Sequence, residues 1–254
     1  MLTISPQYPI FRPERLQMTE ILKNKTVLIT GGTGALGHVV AERFIKEGAN
    51  VVTSYLFEAE FKRLSESFKK NVFIVRADVS EEEDVAALFH QAVKKFNRVD
   101  ILINIVGGFL PKTFIKDVTM KDWDHMINMN LKSVFLCSRE FLQLLGNAPY
   151  GRIISMAAMP ALKPSAGRGP YAVSKGGVIM LTQILGEELR GSGITANAIA
   201  PSMLKTQANM ESMPKEDFSK WVTPEEIAEA MLFLCSDKGQ SINGVCVPMF
   251  GGIS

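Results

Sequence analysis

Thr26-Val-Leu-Ile-Thr-Gly-Gly-Thr-Gly-Ala-Leu-Gly37 is the stretch on which the fold turns. A five-residue apolar run of strand length enters a turn carrying Gly31, Gly32, Gly34 and Gly37, and helical spacing of apolar residues follows from Gly37 to Glu47. Missing side chains in such a turn let the backbone approach a pyrophosphate, and the helix N-terminus stabilises its charge. A tight turn needing glycine for its own sake is the bland reading; the strand before and the helix after favour a dinucleotide site.

Outward from this turn, strand-length apolar runs alternate with helical stretches. The strands are predicted at Thr26–Thr30, Asn50–Tyr55, Val72–Arg76, Ile101–Ile105, Arg152–Met156, Thr195–Ile199 and Gly244–Met249. Helices are predicted at Gly37–Glu47, Phe57–Phe68, Glu81–Phe96, Thr119–Leu145, Pro170–Arg190 and Pro224–Ser236. Ser80 before Glu81-Glu82-Glu83 and Thr223 before Pro224-Glu225-Glu226 read as N-caps with acids in the first turn. This alternation predicts a single-domain α/β Rossmann fold: a doubly wound, seven-stranded parallel sheet with helices on both faces. Residues 1–24 read as an irregular extension and residues 25–254 as the dinucleotide-binding and catalytic domain. The Met-rich stretch from Pro201 to Lys220 breaks the rhythm and reads equally as a lid or an ordinary surface loop.

The 254 residues are 46% hydrophobic and 21% charged, with a net charge of +2 and the two signs interspersed. Nothing in that distribution calls for nucleic acid or a membrane surface, so a small-molecule substrate is expected. No apolar run reaches bilayer length and no signal-peptide pattern opens the chain, which makes cytoplasm the expected location. Cys137, Cys235 and Cys246 read as buried thiols, and His38, His90 and His125 lie too far apart to suggest a metal site.

Tyr171 and Lys175, four residues apart in Tyr-Ala-Val-Ser-Lys, share one helical face. There the ammonium can lower the phenol's pKa and prepare it to exchange a proton. A core-edge tyrosine beside a solvated lysine is the commoner meaning of that spacing, so the pair needs its context.

The context resembles the short-chain dehydrogenase/reductase family from about Lys25 to Gly252. Thr30, Gly31 and Gly37 match its Thr-Gly-x-x-x-Gly-x-Gly turn, with Ala35 at the middle glycine. Dihydropteridine reductase is among the family's reductases similar to this Gly-Gly-x-Gly-Ala-Leu-Gly version. Asp78-Val79 looks like the adenine-contacting pair, and Asn104-Ile-Val-Gly107 like Asn-Asn-Ala-Gly. Asn130, Asn197-Ala-Ile-Ala-Pro201, Thr206 and Pro224-Glu-Glu-Ile-Ala continue the match. The resemblance implies hydride transfer between a nicotinamide and a carbonyl or quinonoid-type small molecule. In it Tyr171 is the general acid/base, Lys175 binds the nicotinamide ribose, and Asn130 holds a water linking Lys175 to solvent. The implied cofactor-binding set is Gly31, Thr33, Gly34, Ala35, Leu36, Gly37, Tyr55, Asp78, Val79, Asn104, Gly107, Tyr171, Lys175, Pro201 and Thr206. A homo-oligomer, tetramer or dimer, is implied too; Val178, Leu181, Ile184 and Leu185 supply apolar residues at helical spacing on the helix of one such interface, a stripe that a buried core helix in a monomer would share.

Two positions depart from a simple reading. The second strand ends in Ser54, Tyr55 and Leu56; with no acid to repel a phosphate NADP(H) is slightly favoured, and with no arginine to bind one NAD(H) stays open. The family's catalytic serine falls thirteen residues before Tyr171, where this chain has Ala158. Either the substrate needs less polarisation, or a hydroxyl such as Ser165 swings in, or the protein is a cofactor-binding regulator or scaffold with little turnover. Ser155 is too far back along the strand, on the opposite face.

Overall fold

Apolar runs, fully buried in the middle of the sheet and partly exposed at its edges, make the strands: β1 (Thr26–Thr30), β2 (Asn50–Tyr55), β3 (Val72–Arg76), β4 (Ile101–Asn104), β5 (Gly151–Met156), β6 (Ile194–Pro201) and β7 (Cys246–Met249). In the computed structural model, which describes residues 20–253, they form one sheet ordered β3-β2-β1-β4-β5-β6-β7. All six neighbouring pairs are parallel. β1, β4, β5 and β6 are buried at every residue, as strands covered on both faces require.

The helices are α1 (Ala35–Lys46), α2 (Glu58–Arg63), α3 (Glu66–Asn71), α4 (Glu82–Phe96), α5 (Met120–Ile127), α6 (Ser133–Leu145), α7 (Met159–Leu162), α8 (Gly169–Glu188), α9 (Gln207–Ser212) and α10 (Pro224–Cys235). Val40 and Phe44 of α1 and Ile227 and Met231 of α10 pack in one core with Val27, Ile29 and Ile103. Leu88 and Phe89 of α4, Phe141 of α6 and Leu185 of α8 pack in another with Leu28, Leu102 and Ile153. Successive residues of a strand point to opposite faces, so the helices lie on both sides of the sheet. No helix among the described residues is long and apolar enough to cross a membrane.

Several boundaries differ from the expected ones for local reasons. The helix predicted over Phe57–Phe68 is two: Leu64 is extended, and Ser65 caps α3 by accepting from Phe68 N at 3.1 Å. The Thr119–Leu145 helix contains one π-turn, Asn128–Lys132, between α5 and α6. Ser80 caps nothing; its hydroxyl donates back to Asp78 Oδ1 at 2.7 Å, and α4 begins after Glu81. Thr223 and Glu226 form the reciprocal capping box at α10. Residues 1–19 of the expected extension lie outside the described residues, whereas Leu22 is in the core and its N–H donates to Glu47 O at 3.0 Å.

Val178 and Leu185 are core in this chain, as a buried core helix would have them; Leu181 is partly buried and Ile184 is 46% exposed. Cys137 and Cys235 are buried free thiols, and burial pushes both up to about 12.

Candidate active site

β1 connects to β2 on one side and lies beside β4 on the other, so a crevice opens at the carboxyl ends of β1 and β4, where the strand order reverses. Thr30 holds its two lips together: Oγ1 accepts from Ile105 N at 3.1 Å and Val106 N at 3.3 Å. Those bonds also end β4 one residue earlier than predicted.

The glycine turn is packed too tightly for side chains. Gly31 has φ +71°, and a Cβ there would touch Val106 at 3.0 Å. A Cβ on Gly32 would meet Thr53 Oγ1 at 2.2 Å; on Gly37 it would meet Gly31 O at 2.2 Å and the Gly32 Cα at 2.6 Å. Ala35 is the first residue of α1. No side chain caps α1 and no acid stands in its first turn, which leaves the helix N-terminus open to an anion. The chain therefore fits a dinucleotide pyrophosphate. Gly37→Ala should lower stability by about 1–3 kcal/mol through overpacking and abolish dinucleotide binding. Thermal melts and fluorescence titration check this, and unchanged binding would refute it.

A cleft of about 460 Å³ extends from the turn. Of the expected residues, Gly31, Thr33, Gly34, Ala35, Leu36, Gly37, Tyr55, Asp78, Val79 and Gly107 line it. Asn104 does not: its amide lies beneath, donating to Ser155 Oγ at 3.2 Å, and its Oδ1 has no partner. Pro201 and Thr206 do not line it either. Pro201 pairs with Met249 in the sheet, and the Thr206 hydroxyl caps α9 by accepting from Asn209 N at 3.3 Å. Sequence reasoning missed Glu60, which lines the cleft from α2, and His125, Asn128, Met129 and Ser133, which line it from around the π-turn. The last four lie in or beside the Asn128–Lys132 π-turn, an irregularity that a periodic pattern does not signal.

Of the three residues expected to be catalytic, Asn130 and Lys175 converge on Gly107 of the cleft wall, whereas Tyr171 lines a separate small pocket with Leu110, Arg168 and Pro170. Asn130, in the π-turn, is fully buried; its Nδ2 donates to Gly108 O and Ser174 Oγ, both at 3.0 Å, and its Oδ1 accepts from Gly108 N at 2.9 Å. Ser174 Oγ in turn donates to Tyr171 O at 2.9 Å. Lys175 Nζ donates to Met156 O at 2.7 Å. A Cβ on Gly107 would lie 2.8 Å from Asn130 Oδ1 and 2.9 Å from Lys175 Nζ, so both polar groups crowd the same glycine.

The electrostatics correct one expectation. Burial pushes the Tyr171 phenol above its ordinary value, and the charge opposing that rise is Arg168 rather than Lys175. Burial lowers Lys175 itself to about 8. Arg168 Nη1 is held by Leu110 O at 2.9 Å, and its guanidinium lies 5.7 Å from the Phe109 ring centroid. Ala158 is 4% exposed and stands at the N-cap of α7. Ser155 is buried and accepts from Asn104, while Ser165 is exposed.

A parallel sheet of this order, with an uncapped glycine turn at the crevice and Asn130 and Lys175 meeting at Gly107 in its wall, is the arrangement of a nucleotide-dependent oxidoreductase. The family model described as enoyl-(acyl carrier protein) reductase matches residues 32–254. A 3-oxoacyl-acyl-carrier-protein reductase of Chlamydia trachomatis is 29% identical over 249 residues, 93% of this chain and 100% of that protein. Glucose 1-dehydrogenase 2 of Bacillus subtilis is 29% identical over 251 residues, covering 93% and 97%. The solved structure of ElxO with NADP bound superposes with a TM-score of 0.83 at 28% identity, covering 90% of this chain and 98% of that one. The chain belongs to the short-chain dehydrogenase/reductase family and is an NAD(P)-dependent enzyme.

Proposed function

We propose that the enzyme works as a reductase on a carbonyl or quinonoid-type small molecule, with Tyr171 as the proton donor. The bound nicotinamide supplies the hydride. The observation carrying this reading is geometric: Asn130 Oδ1 and Lys175 Nζ meet at Gly107 in the wall of the dinucleotide cleft, and Tyr171 lies one helical turn from Lys175 on α8. Burial raises the Tyr171 phenol above its ordinary value, so like any tyrosine it is protonated at neutral pH. A protonated phenol is the acid that reduction requires as negative charge grows on the substrate heteroatom. Asn130, through Ser174, braces the Tyr171 main chain. Its Oδ1 keeps a lone pair for the water expected to connect Lys175 with solvent. The Lys175 ammonium lies buried beside Gly107, itself a residue of the cleft wall, and from there would donate to a ribose hydroxyl. Comparing dinucleotide oxidation across ketones, quinones and pterins tests the reading; binding without turnover on any substrate class would favour the regulator or scaffold alternative that Ala158 raises.

Ala158 also supplies a graded test. A serine there would offer the missing donor, worth up to about 10²–10³ in rate when it stabilises a developing oxyanion. The same hydroxyl would suit the N-cap position of α7. Ala158→Ser should therefore raise kcat on simple ketones by about tenfold or more and leave a quinonoid substrate nearly unaffected. Equal effects on both classes would sink the idea that substrate electronics compensate for the alanine.

A further inference from the structure

The reading of the β2 terminus as free of acids does not survive folding. Glu60 lies five residues past Tyr55 in sequence, yet α2 brings its half-buried side chain back to the cleft wall. Thr33, inside the glycine turn, donates its hydroxyl to Glu60 Oε2 at 3.2 Å. The position is braced from both sides. Tyr55 stacks on Phe61 of α2 with centroids 5.2 Å apart, and Gly31 N donates to Ser54 Oγ at 3.3 Å. A second acid, Glu58, accepts from the Tyr55 hydroxyl at 3.4 Å. Glu60 thus ties α2 to the glycine turn, while the Ser54 hydroxyl ties the end of β2 to it directly.

The cations that could offset them fall elsewhere. Lys62 and Arg76 are exposed and line neither the cleft nor its neighbour. Arg63 lines an adjoining cavity of about 560 Å³ whose wall includes Thr33 and Glu60, so Glu60 borders both spaces while Arg63 borders only the outer one. His38 also faces that outer space; it stacks on Phe68 at 4.2 Å and its Nε2 is 3.4 Å from Glu42. No Lys or Arg lies within the glycine turn itself.

A carboxylate beside the turn at the end of the second strand can accept from an adenine-ribose hydroxyl, whereas a 2′-phosphate there meets like charge. We propose that Glu60 makes the enzyme selective for NAD(H) over NADP(H), with Thr33 orienting its carboxylate. This rests on the dinucleotide reading above and reverses the slight preference for NADP(H) drawn from the strand end alone.

The test is direct titration of the unmodified protein with NADH and NADPH, followed by nucleotide fluorescence and independent of turnover. NADH should bind more tightly by about tenfold or more, as expected for avoiding a like-charge contact. Glu60→Gln should cut that ratio by about tenfold, mainly by improving NADPH, while Arg63→Met should leave it unchanged. Equal or tighter NADPH binding by the unmodified protein, an unchanged ratio in Glu60→Gln, or loss of NADPH binding in Arg63→Met would each overturn the proposal. Failure of both nucleotides to bind would instead overturn the functional reading beneath it and this proposal with it. Melting temperatures of both variants establish that α2 remains folded, so altered ratios report on the nucleotide.

Discussion

Tyr171→Phe should reduce turnover by about 10²–10⁴, the range for losing a positioned general acid, with the dinucleotide Kd changed by less than about twofold. The substitution removes one hydroxyl from a half-buried ring and leaves its packing, so a stability loss cannot masquerade as lost catalysis. Retention of more than about a tenth of the activity would remove Tyr171 from the proton-transfer step. The pH profile adds a second readout. Reduction needs the protonated phenol, so the rate should fall as pH rises through the phenol's pKa. Burial moves that fall above the ordinary tyrosine range, and the Arg168 charge partly restrains it. Arg168→Met removes the restraint and should shift the alkaline limb to still higher pH. A shift downward would mean that the buried phenol is not the group controlling the rate.

The sheet was legible because central parallel strands are buried on both faces and so read as unbroken apolar runs, Thr26–Thr30 and Ile101–Asn104 above all. Helix ends were legible only where side-chain chemistry had a single outcome. Thr223 is followed three residues later by Glu226, and the two bond reciprocally. Ser80 looked equivalent, but Asp78 two residues earlier competes for its hydroxyl and wins. The glycine turn was readable from composition because its constraints are local. Glu60 was not, since a short helix of charged residues gives no sign of which acid folds back onto Thr33. Asn130 illustrates the intermediate case: the resemblance marked the residue, while its place in a π-turn and the bonds of its amide to Gly108 and Ser174 appear only in the fold.

The same distinction governs Lys175. Its ammonium is buried, donates to Met156 O and, among the described residues, forms no ion pair with an acid. Burial lowers it from 10.5 to about 8, which makes the charged side chain a cost to the fold rather than a support. The unfolded chain holds that proton more tightly, so between about 8 and 10.5 it binds more protons than the folded one. This group's contribution to stability therefore rises with pH across that window. Below about 8 its full penalty, on the order of 3 kcal/mol, applies. Above 10.5 the penalty is gone. Buried thiols and phenols act in the opposite sense at alkaline pH, so the wild-type curve alone does not isolate the lysine. The comparison with Lys175→Met does. The variant's stability relative to wild type should be highest near pH 7 and decline by about 3 kcal/mol toward pH 10.5, measured by denaturant unfolding. Its turnover should nevertheless fall by about 10²–10⁴. A pH-independent stability difference would show that Lys175 carries no buried charge at neutral pH. The predicted opposition of stability and turnover is the signature of a cation kept for the reaction at the expense of the fold.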